Sequence, residues 1–185
     1  MFSEEEVVHK IIDGDLRAFN VLVTRYEKLV FHVINRMAND EQDKEDICQE
    51  VFIKVHHNLR KFRFESKLST WIARIAYLTA INYLKKYRKS IFTDPLQDSD
   101  DSYFTSDNPQ EILIKKDVNT YVNHLIGKMP GPYKILLTLF HLEEFSYQEI
   151  SDITGMPEGT VKNYLFRARK LLKEQLELYL SKEVT

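Results

Sequence analysis

The sequence predicts an all-α protein with two helical domains joined by an acidic, flexible linker. Apolar residues recur at the i, i+3, i+4 and i+7 spacing of amphipathic helices along most of the chain. The 185 residues include only 5 glycines and 5 prolines, which argues against a turn-rich β protein. Residues 90–114 contain no lysine or arginine but several aspartates, a composition that favours an extended or disordered segment. The predicted boundaries are 1–89 for the N-terminal domain, 90–108 for the linker and 109–185 for the C-terminal domain.

The N-terminal domain is predicted to begin with a short helix from Phe2 to Ile12, which Asp13-Gly14-Asp15 interrupts. A long amphipathic helix follows. Its apolar face, expected in the core, consists of Phe19, Leu22, Val23, Tyr26, Val30, Val33, Ile34 and Met37. The next helix is expected to bury Ile47, Val51, Phe52, Val55 and Leu59. Its outer face carries Asp46, Gln49, Glu50 and Lys54.

A basic helix is predicted from about Leu68 to Tyr87. One side of this helix carries Trp71, Ile72, Ile75 and Thr79, and the residues that project elsewhere are Tyr77, Asn82, Lys85, Lys86 and Arg88. Basic residues interleaved with aromatic rings suit single-stranded DNA, because cations follow the backbone and rings stack on bases. The alternative is that Trp71 and Tyr83 are core residues and that the lysines form a solvated helix end.

The stretch from Ser146 to Lys170 predicts a helix-turn-helix. We expect Ser146 and Glu149 to form a capping box on the first helix, and Gly155 to end it in the left-handed conformation. Pro157 suits the first position of the second helix, whose buried face is predicted to hold Val161, Leu165, Ala168 and Leu172. The outer face carries Lys162, Asn163, Phe166, Arg167 and Lys170. Amide and guanidinium groups there match what a DNA major groove presents, although a plain helical hairpin with a solvated face is the alternative.

Two further segments precede this motif. Asn108-Pro109 is predicted to start a helix that reaches about Lys128. The apolar run from Tyr133 to Leu142 is expected to support the helix-turn-helix from behind.

Composition narrows the classes of function. The net charge is −2, so any affinity for DNA must come from local basic patches. The single cysteine, Cys48, excludes an internal disulfide, and no apolar run reaches the ~20 residues of a membrane span. The acidic N-terminus does not resemble a signal peptide, which predicts a cytoplasmic protein.

We find no catalytic motif in the sequence and therefore predict neither enzymatic activity nor a bound cofactor or metal. His56 and His57 lie near several carboxylates and leave a metal-dependent enzyme as a remote alternative. Adjacent helical residues point about 100° apart, which makes a shared metal ion difficult for these two imidazoles.

Three blocks in order resemble the extracytoplasmic-function (ECF) group of bacterial sigma factors. Residues Asp46–Lys54 (DICQEVFIK) resemble the polymerase-binding helix of that group, and Phe64–Ala76 (FESKLSTWIARIA) resemble its promoter-melting segment. Gly159–Lys162 (GTVK), with Arg167-Ala168-Arg169, resemble its recognition helix. The order, the spacing and the acidic linker agree with this resemblance over nearly the whole chain.

The resemblance implies a role for each group of candidate residues. The residues that would face the β′ clamp helices of the polymerase core are Asp46, Gln49, Glu50, Phe52 and Lys54, with a core position as the alternative for Phe52. The loop that would hold a base flipped out of the minus-ten element consists of Phe64, Glu65, Ser66, Lys67 and Leu68. The residues along or near the opened strand would be Trp71, Arg74, Tyr77, Asn82, Lys85, Lys86 and Arg88, although Trp71 could instead fix the loop from the core. The contacts to the minus-thirty-five element would come from Lys162, Asn163, Phe166, Arg167 and Lys170.

The resemblance also implies partners and shows departures. The partners would be the RNA polymerase core, through its β′ clamp helices and β flap, promoter DNA and an anti-sigma factor. Leu78 stands where the group often has asparagine, and Asn163-Tyr164 where Ser-Arg is common. We expect Tyr164 to remove a phosphate-binding cation. The main alternative in function is a dimeric helix-turn-helix regulator with an N-terminal sensor lobe.

Overall fold

The computed structural model describes residues 3–87 and 118–183. We call these ranges the N-terminal lobe and the C-terminal lobe. The helices are α1 (Glu4–Ile12), α2 (Leu16–Asn35), α3 (Glu41–Asn58), α4 (Leu68–Tyr87), α5 (Val118–Lys128), α6 (Gly131–Leu137), α7 (Tyr147–Thr154) and α8 (Glu158–Glu183). The described residues form only helices, turns and loops, which confirms the all-α prediction. None of these helices is both long and apolar enough to cross a membrane.

Short polar side chains fix where the helices of the N-terminal lobe begin. The Ser3 side chain and Glu6 form a capping box at α1, while Asp15 accepts from the backbone N–H groups of Arg17 and Ala18 at α2. Asp40 caps α3 in the same way. Helices α2, α3 and α4 pack against one another, and the fully buried residues between them include Val30, Ile34, Ile47, Val51 and Ile72. A short 3₁₀ turn, Leu59–Lys61, leads from α3 towards α4.

The C-terminal lobe is arranged around α6. This helix continues as a π-helical turn over Thr138–Leu142, and α8 packs across both α6 and α7. Tyr133, Leu136 and Leu139 are buried there, which confirms that the apolar run supports the helix-turn-helix. The predicted start of a helix at Asn108-Pro109 and the predicted linker, residues 90–108, lie outside the described residues.

The two lobes share one continuous hydrophobic core. Helix α4 of the N-terminal lobe packs against α7 of the C-terminal lobe, and α2 packs against the π-helical turn. The sequence pattern predicted two domains on either side of a linker and gave no sign that their helices pack together. In this conformation α7 therefore covers one side of α4.

Candidate nucleic-acid interface

Reciprocal hydrogen bonds begin the helix-turn-helix. Ser146 Oγ accepts from the Glu149 backbone N–H at 3.2 Å, and the Ser146 N–H donates to Glu149 Oε2 at 2.9 Å. Gly155 ends α7 with a φ of 76°, and Ile150 and Ile153 form the buried face of this helix. These features confirm the capping box, the left-handed glycine and the apolar face predicted for α7.

Side-chain hydrogen bonds fix the turn between α7 and α8. Ser151 Oγ donates to the Met156 carbonyl at 2.6 Å, and Thr154 Oγ1 accepts from the Met156 N–H at 3.2 Å. Pro157 precedes the first residue of α8, and its carbonyl accepts from the N–H groups of Thr160 and Val161. The proline therefore occupies the capping position, one residue before the position predicted for it. The turn is therefore hydrogen-bonded to both of the helices that it joins.

The outer face of α8 presents polar groups and one aromatic ring to solvent. Its exposed residues are Lys162, Asn163, Phe166 and Lys170, while Arg167 is half-buried. Phe166 is 66% exposed, which is unusual for a phenylalanine that packs only within its own protein. Lys162 pairs with Glu158 at 2.5 Å, and this neighbour raises the pKa of the Lys162 ammonium. The face offers hydrogen-bond donors and an apolar surface. These match the acceptor atoms and the thymine methyl groups that base edges present in a major groove.

Tyr164 does not belong to that outer face. Its side chain is 7% exposed and packs edge-on against Tyr133, with 5.6 Å between the ring centroids. The expectation that Tyr164 removes a phosphate-binding cation is therefore wrong, because in this chain the position faces the core. The buried stripe of α8 is wider than predicted, since α5, α6 and α7 all pack against this helix.

A cluster of aromatic rings supports the loop before α4. The Phe62 ring centroid lies 4.7 Å from that of Phe64 and 5.3 Å from that of Trp71, while the His9 ring of α1 lies 6.0 Å from Phe64. Phe64 is 43% exposed and has a φ of 57°, a left-handed conformation that bulky residues rarely adopt. The sequence analysis missed His9 and Phe62, because neither belongs to the motif that indicated the loop.

The loop residues differ in what they can offer a ligand. Glu65, Ser66 and Lys67 are exposed, whereas Leu68 is 2% exposed and anchors the start of α4. Trp71 is half-buried and packs on the core next to Phe62. In this conformation Phe64 is the ring of the loop most available for stacking.

Helix α4 presents only some of its predicted residues. Asn82, Lys85 and Lys86 are exposed near its C-terminal end, and Arg74 is exposed nearer its start. Tyr77 is 3% exposed, and burial raises the pKa of its hydroxyl. The prediction that Tyr77 lies along an opened strand is therefore wrong for this conformation, since a core ring cannot stack on a base. Arg88 lies outside the described residues.

Two of the candidate DNA-binding cations contact α7. Lys67 Nζ lies 3.0 Å from Glu149 Oε1, and the Arg74 guanidinium donates to the carbonyl oxygen of Asp152. Thr70 Oγ1, beneath them, donates to Glu149 at 3.3 Å. Burial alone would raise the pKa of the Glu149 carboxyl, but the Ser146 N–H and Lys67 together hold that pKa below its ordinary value.

The outer face of α3 combines polar groups with an apolar centre. Asp46, Gln49 and Glu50 are exposed, and Phe52 and Lys54 are half-buried. Lys54 pairs with Glu50 at 2.8 Å. Tyr83 of α4 donates to Asp43 and Asp46, and partial burial together with Asp43 raises the pKa of Tyr83 to about 12.

Phe52 lies between two grooves on this side of the molecule. One groove of about 470 Å³ also contacts Leu16 and Ile53, and the other, of about 350 Å³, contacts Phe31 and Cys48. Leu16 and Ile53 are 69% and 56% exposed, and an apolar surface of this kind, rimmed by polar residues, is typical of protein docking sites. Their exposure was not evident from the sequence, because a helical pattern alone does not tell which apolar residues lack a neighbour.

His56 and His57 are both exposed residues of α3. The His56 ring packs edge-on against Phe19, with 4.9 Å between the ring centroids. Within residues 3–87 and 118–183, no group of three or more His, Cys, Asp or Glu side chains is placed to hold a metal ion.

Comparison with known proteins gives matches in both lobes. The Sigma-70 region 2 model matches residues 22–90, and the Sigma-70 region 4 model matches residues 120–172. The ECF RNA polymerase sigma-E factor of Haemophilus influenzae is 32% identical over 95% of this chain and 96% of its own length. The RNA polymerase sigma-H factor of Pseudomonas aeruginosa is 30% identical over 95% of this chain and 94% of its own length.

Solved structures share the fold. CnrH, in a complex with the cytosolic domain of CnrY, superposes with a TM-score of 0.64 at 19% identity, over 93% of this chain and 96% of CnrH. The sigma factor RpoE of Bartonella quintana, in a complex with the anti-sigma factor NepR, gives a TM-score of 0.63 at 18% identity, over 86% of this chain and 96% of that chain.

The fold and the helix-turn-helix thus define a two-lobed, DNA-binding transcription initiation factor. The chain belongs to the sigma-70 family of RNA polymerase sigma factors, in its extracytoplasmic-function group.

Proposed function

We propose that this sigma factor binds the RNA polymerase core through α3, directs it to specific promoters through α8 and helps to open DNA through the loop before α4. The main support is that one chain carries three surfaces of different chemistry. These are an apolar and polar face on α3, an exposed aromatic loop beside a basic helix, and a donor-rich recognition helix. A protein that only bound duplex DNA would need the recognition helix alone, so the presence of all three surfaces favours the combined role.

The α3 face would bind the β′ clamp helices. Asp46, Gln49, Glu50 and Lys54 would form its polar rim, and Phe52 its apolar centre between the two grooves. This arrangement follows the usual anatomy of protein interfaces, in which aromatic residues fill the centre and charged residues the rim. Leu16 and Ile53 extend the apolar centre beyond the residues that the sequence indicated.

The loop from Phe64 to Leu68 would hold an extruded base of the minus-ten element. Unpairing a base costs a few kcal/mol, and stacking on an aromatic ring returns ~1–3 kcal/mol per base. Phe64 is the exposed ring, and Asn82, Lys85 and Lys86 would follow the strand's phosphates. DNA opening in this mechanism is driven by capture of the base and needs no nucleotide hydrolysis.

The outer face of α8 would read the minus-thirty-five element. Asn163 and Arg167 can form paired hydrogen bonds with base edges, and Phe166 suits the thymine methyl group. Lys162 and Lys170 would hold phosphates and fix the register. The net charge of −2 accords with a factor that acts on DNA only within the polymerase complex.

Two further partners belong to this proposal. The C-terminal lobe would contact the β flap, and an anti-sigma factor would hold the sigma factor inactive. RpoE of B. quintana, which shares the fold, was solved in a complex with such a partner. These assignments place the protein in the cytoplasm, where the polymerase works.

The test is association with bacterial RNA polymerase core, followed by transcription from a promoter library. We expect binding, and a shared two-part motif among the transcribed promoters. Failure to bind a cognate core, together with tight binding of the isolated protein to palindromic duplex DNA, would overturn the proposal in favour of a dimeric regulator.

A further inference from the structure

A cavity of about 500 Å³ lies between the C-terminal end of α2 and the C-terminal lobe. Its apolar wall consists of Val122, Ile126, Leu137, Leu142 and Leu172. None of the residues assigned to DNA or to the polymerase lines it. Ligand pockets in proteins have about this volume, and a few polar groups on a mainly apolar wall decide what they bind. The polar groups of this cavity therefore indicate the chemistry of a ligand.

The first polar group is the guanidinium of Arg36, which lies at the C-cap of α2 and lines the cavity. Its Nε donates to Thr138 Oγ1 at 3.1 Å, and its Nη2 donates to Asn123 Oδ1 at 3.2 Å. Burial lowers the pKa of Arg36. Both hydrogen-bond acceptors are uncharged, so they hold the guanidinium in place without compensating its charge. An arginine has five N–H donors, and further ones remain for a ligand.

The second polar group is the guanidinium of Arg169, which reaches the cavity from α8. Its Nε donates to His141 Nε2 at 3.2 Å, and it lies over the Phe140 ring at 4.7 Å from the centroid. Burial and Arg169 lower the pKa of His141, which favours the neutral imidazole that this hydrogen bond requires. The Nη2 atom of Arg169 is buried and has no hydrogen-bond partner among the described residues. Because a buried donor without an acceptor is unfavourable, an acceptor in the cavity would be stabilised here.

The charges around the cavity are of one sign. None of the described residues that line it is acidic, and within residues 3–87 and 118–183 neither Arg36 nor Arg169 forms an ion pair. Lys134 lies close by, since burial and Arg36 both lower the pKa of its ammonium. Glu143, just beyond the lining, pairs with His32. Clefts with like charges and apolar walls concentrate the electrostatic field, so this cavity favours an anion.

We propose that the cavity binds a small amphipathic anion, with an acyl or aromatic body against the apolar wall and a carboxylate or phosphate group held by Arg36 and Arg169. Both kinds of head group match the planar donor pattern of a guanidinium. The proposal does not rest on the proposed function, because none of the residues assigned to DNA or to the polymerase takes part.

The test is isothermal titration calorimetry of the full chain with three probes, octanoate, octyl phosphate and octanol, each below the concentration at which it aggregates. The probes have similar alkyl chains and differ in their head groups, so they separate the need for an anion from apolar binding. Thermal denaturation is the second measurement, because a ligand that binds only the folded protein raises its melting temperature. Neither measurement involves the polymerase or DNA, so failure here leaves the proposed function untouched.

Three variants locate the binding site. Arg36→Gln and Arg169→Gln each remove one guanidinium, whereas Val122→Phe fills part of the cavity without changing the charge. The matched control is Arg17→Gln, at an exposed position of α2 outside the cavity. Circular dichroism shows which variants are folded, and Val122→Phe keeps the test decisive if an arginine variant does not fold.

We expect octanoate or octyl phosphate to bind the wild-type protein and the control roughly tenfold or more tightly than octanol does, because the anion supplies charged hydrogen bonds. The more tightly bound of the two assigns the head group. Arg169→Gln and Arg36→Gln should each weaken that binding by about ten- to hundredfold, and Val122→Phe should abolish it. Equal binding of octanol, or no binding of either anion to the wild-type protein, would overturn the proposal. So would folded arginine and Val122→Phe variants that bind the anion as the wild type does.

Discussion

Phe64 combines a left-handed backbone conformation with an exposed ring, so backbone strain and the proposed base contact meet at one residue. A left-handed conformation of a bulky residue costs of order 1–3 kcal/mol and persists where the surroundings require it. We therefore expect Phe64→Gly to be more stable than Phe64→Ala by about 1 kcal/mol in chemical denaturation. Both should weaken binding of a single-stranded minus-ten oligonucleotide in the holoenzyme by ~1–3 kcal/mol, because both lack the ring. Equal binding by wild type and both variants would exclude Phe64 from the base site.

Arg167 is the half-buried cation on the outer face of α8. Arg167→Ala in the holoenzyme should cost ~1–3 kcal/mol at one base position of the minus-thirty-five element, because a guanidinium pairs with one base. Transcription from a library randomised over that element measures the effect. Lys173→Ala, on the same helix but paired with Glu177, is the control and should leave the preference unchanged. A uniform loss across sequences would instead assign Arg167 to a phosphate.

Among the structural elements, the turn of the helix-turn-helix depends on one glycine. Gly155 has a φ of 76°, and a Cβ at this position would meet no atom within 4 Å, so only the backbone conformation disfavours a side chain. Gly155→Ala should therefore lower the free energy of unfolding by about 1 kcal/mol. Gly159 in α8 is equally open but has no left-handed φ, and Gly159→Ala should be neutral or stabilising. Thermal denaturation of both variants checks this pair, and equal effects would contradict it.

We expect the outer face of α3 to bind the polymerase and to contribute little to the stability of the fold. Gln49 and Glu50 are exposed, so Gln49→Ala with Glu50→Ala should leave the unfolding temperature within a few degrees of wild type. Affinity for polymerase core should fall, because polar rim contacts are lost. Surface plasmon resonance measures this loss, with Glu5→Gln on α1 as the control. Unchanged affinity would place the polymerase interface elsewhere.

Features that depend on neighbouring residues in the chain were predicted correctly from the sequence, whereas features that depend on packing between helices were not. Ser146, Glu149 and Gly155 were predicted correctly, because caps and turns depend on neighbouring residues in the chain. Tyr77 and Tyr164 were placed on the wrong faces, because α4 and α8 each contact several helices and bury more than one narrow stripe. The contact between α4 and α7 joins residues about 80 positions apart, and no local pattern indicates it.

For the molecule as a whole, Glu149 connects the stability of the fold to pH. Its pKa in the folded protein lies below the ordinary value of 4.5, so its stabilising contribution is present above that pH and is lost as the pH falls through the lowered value. We expect wild type to be more stable than Glu149→Gln at pH 7, and this difference to shrink below pH 4.5. Urea denaturation across this range measures the difference. A difference for Glu149→Gln that stays constant across this range would contradict the assignment.

Because the two lobes belong to one chain, the contact between them does not need to be strong. Residues 88–117 connect α4 to α5 along the chain, so the two lobes meet at the effective concentration that a covalent connection provides, on the order of millimolar. Lobes on one chain therefore remain associated even if their intrinsic dissociation constant is itself about millimolar. Separate N-terminal and C-terminal fragments, mixed at micromolar concentration, would hardly associate. A partner that binds one lobe with ordinary nanomolar affinity can then displace the other lobe with little loss of its own binding free energy.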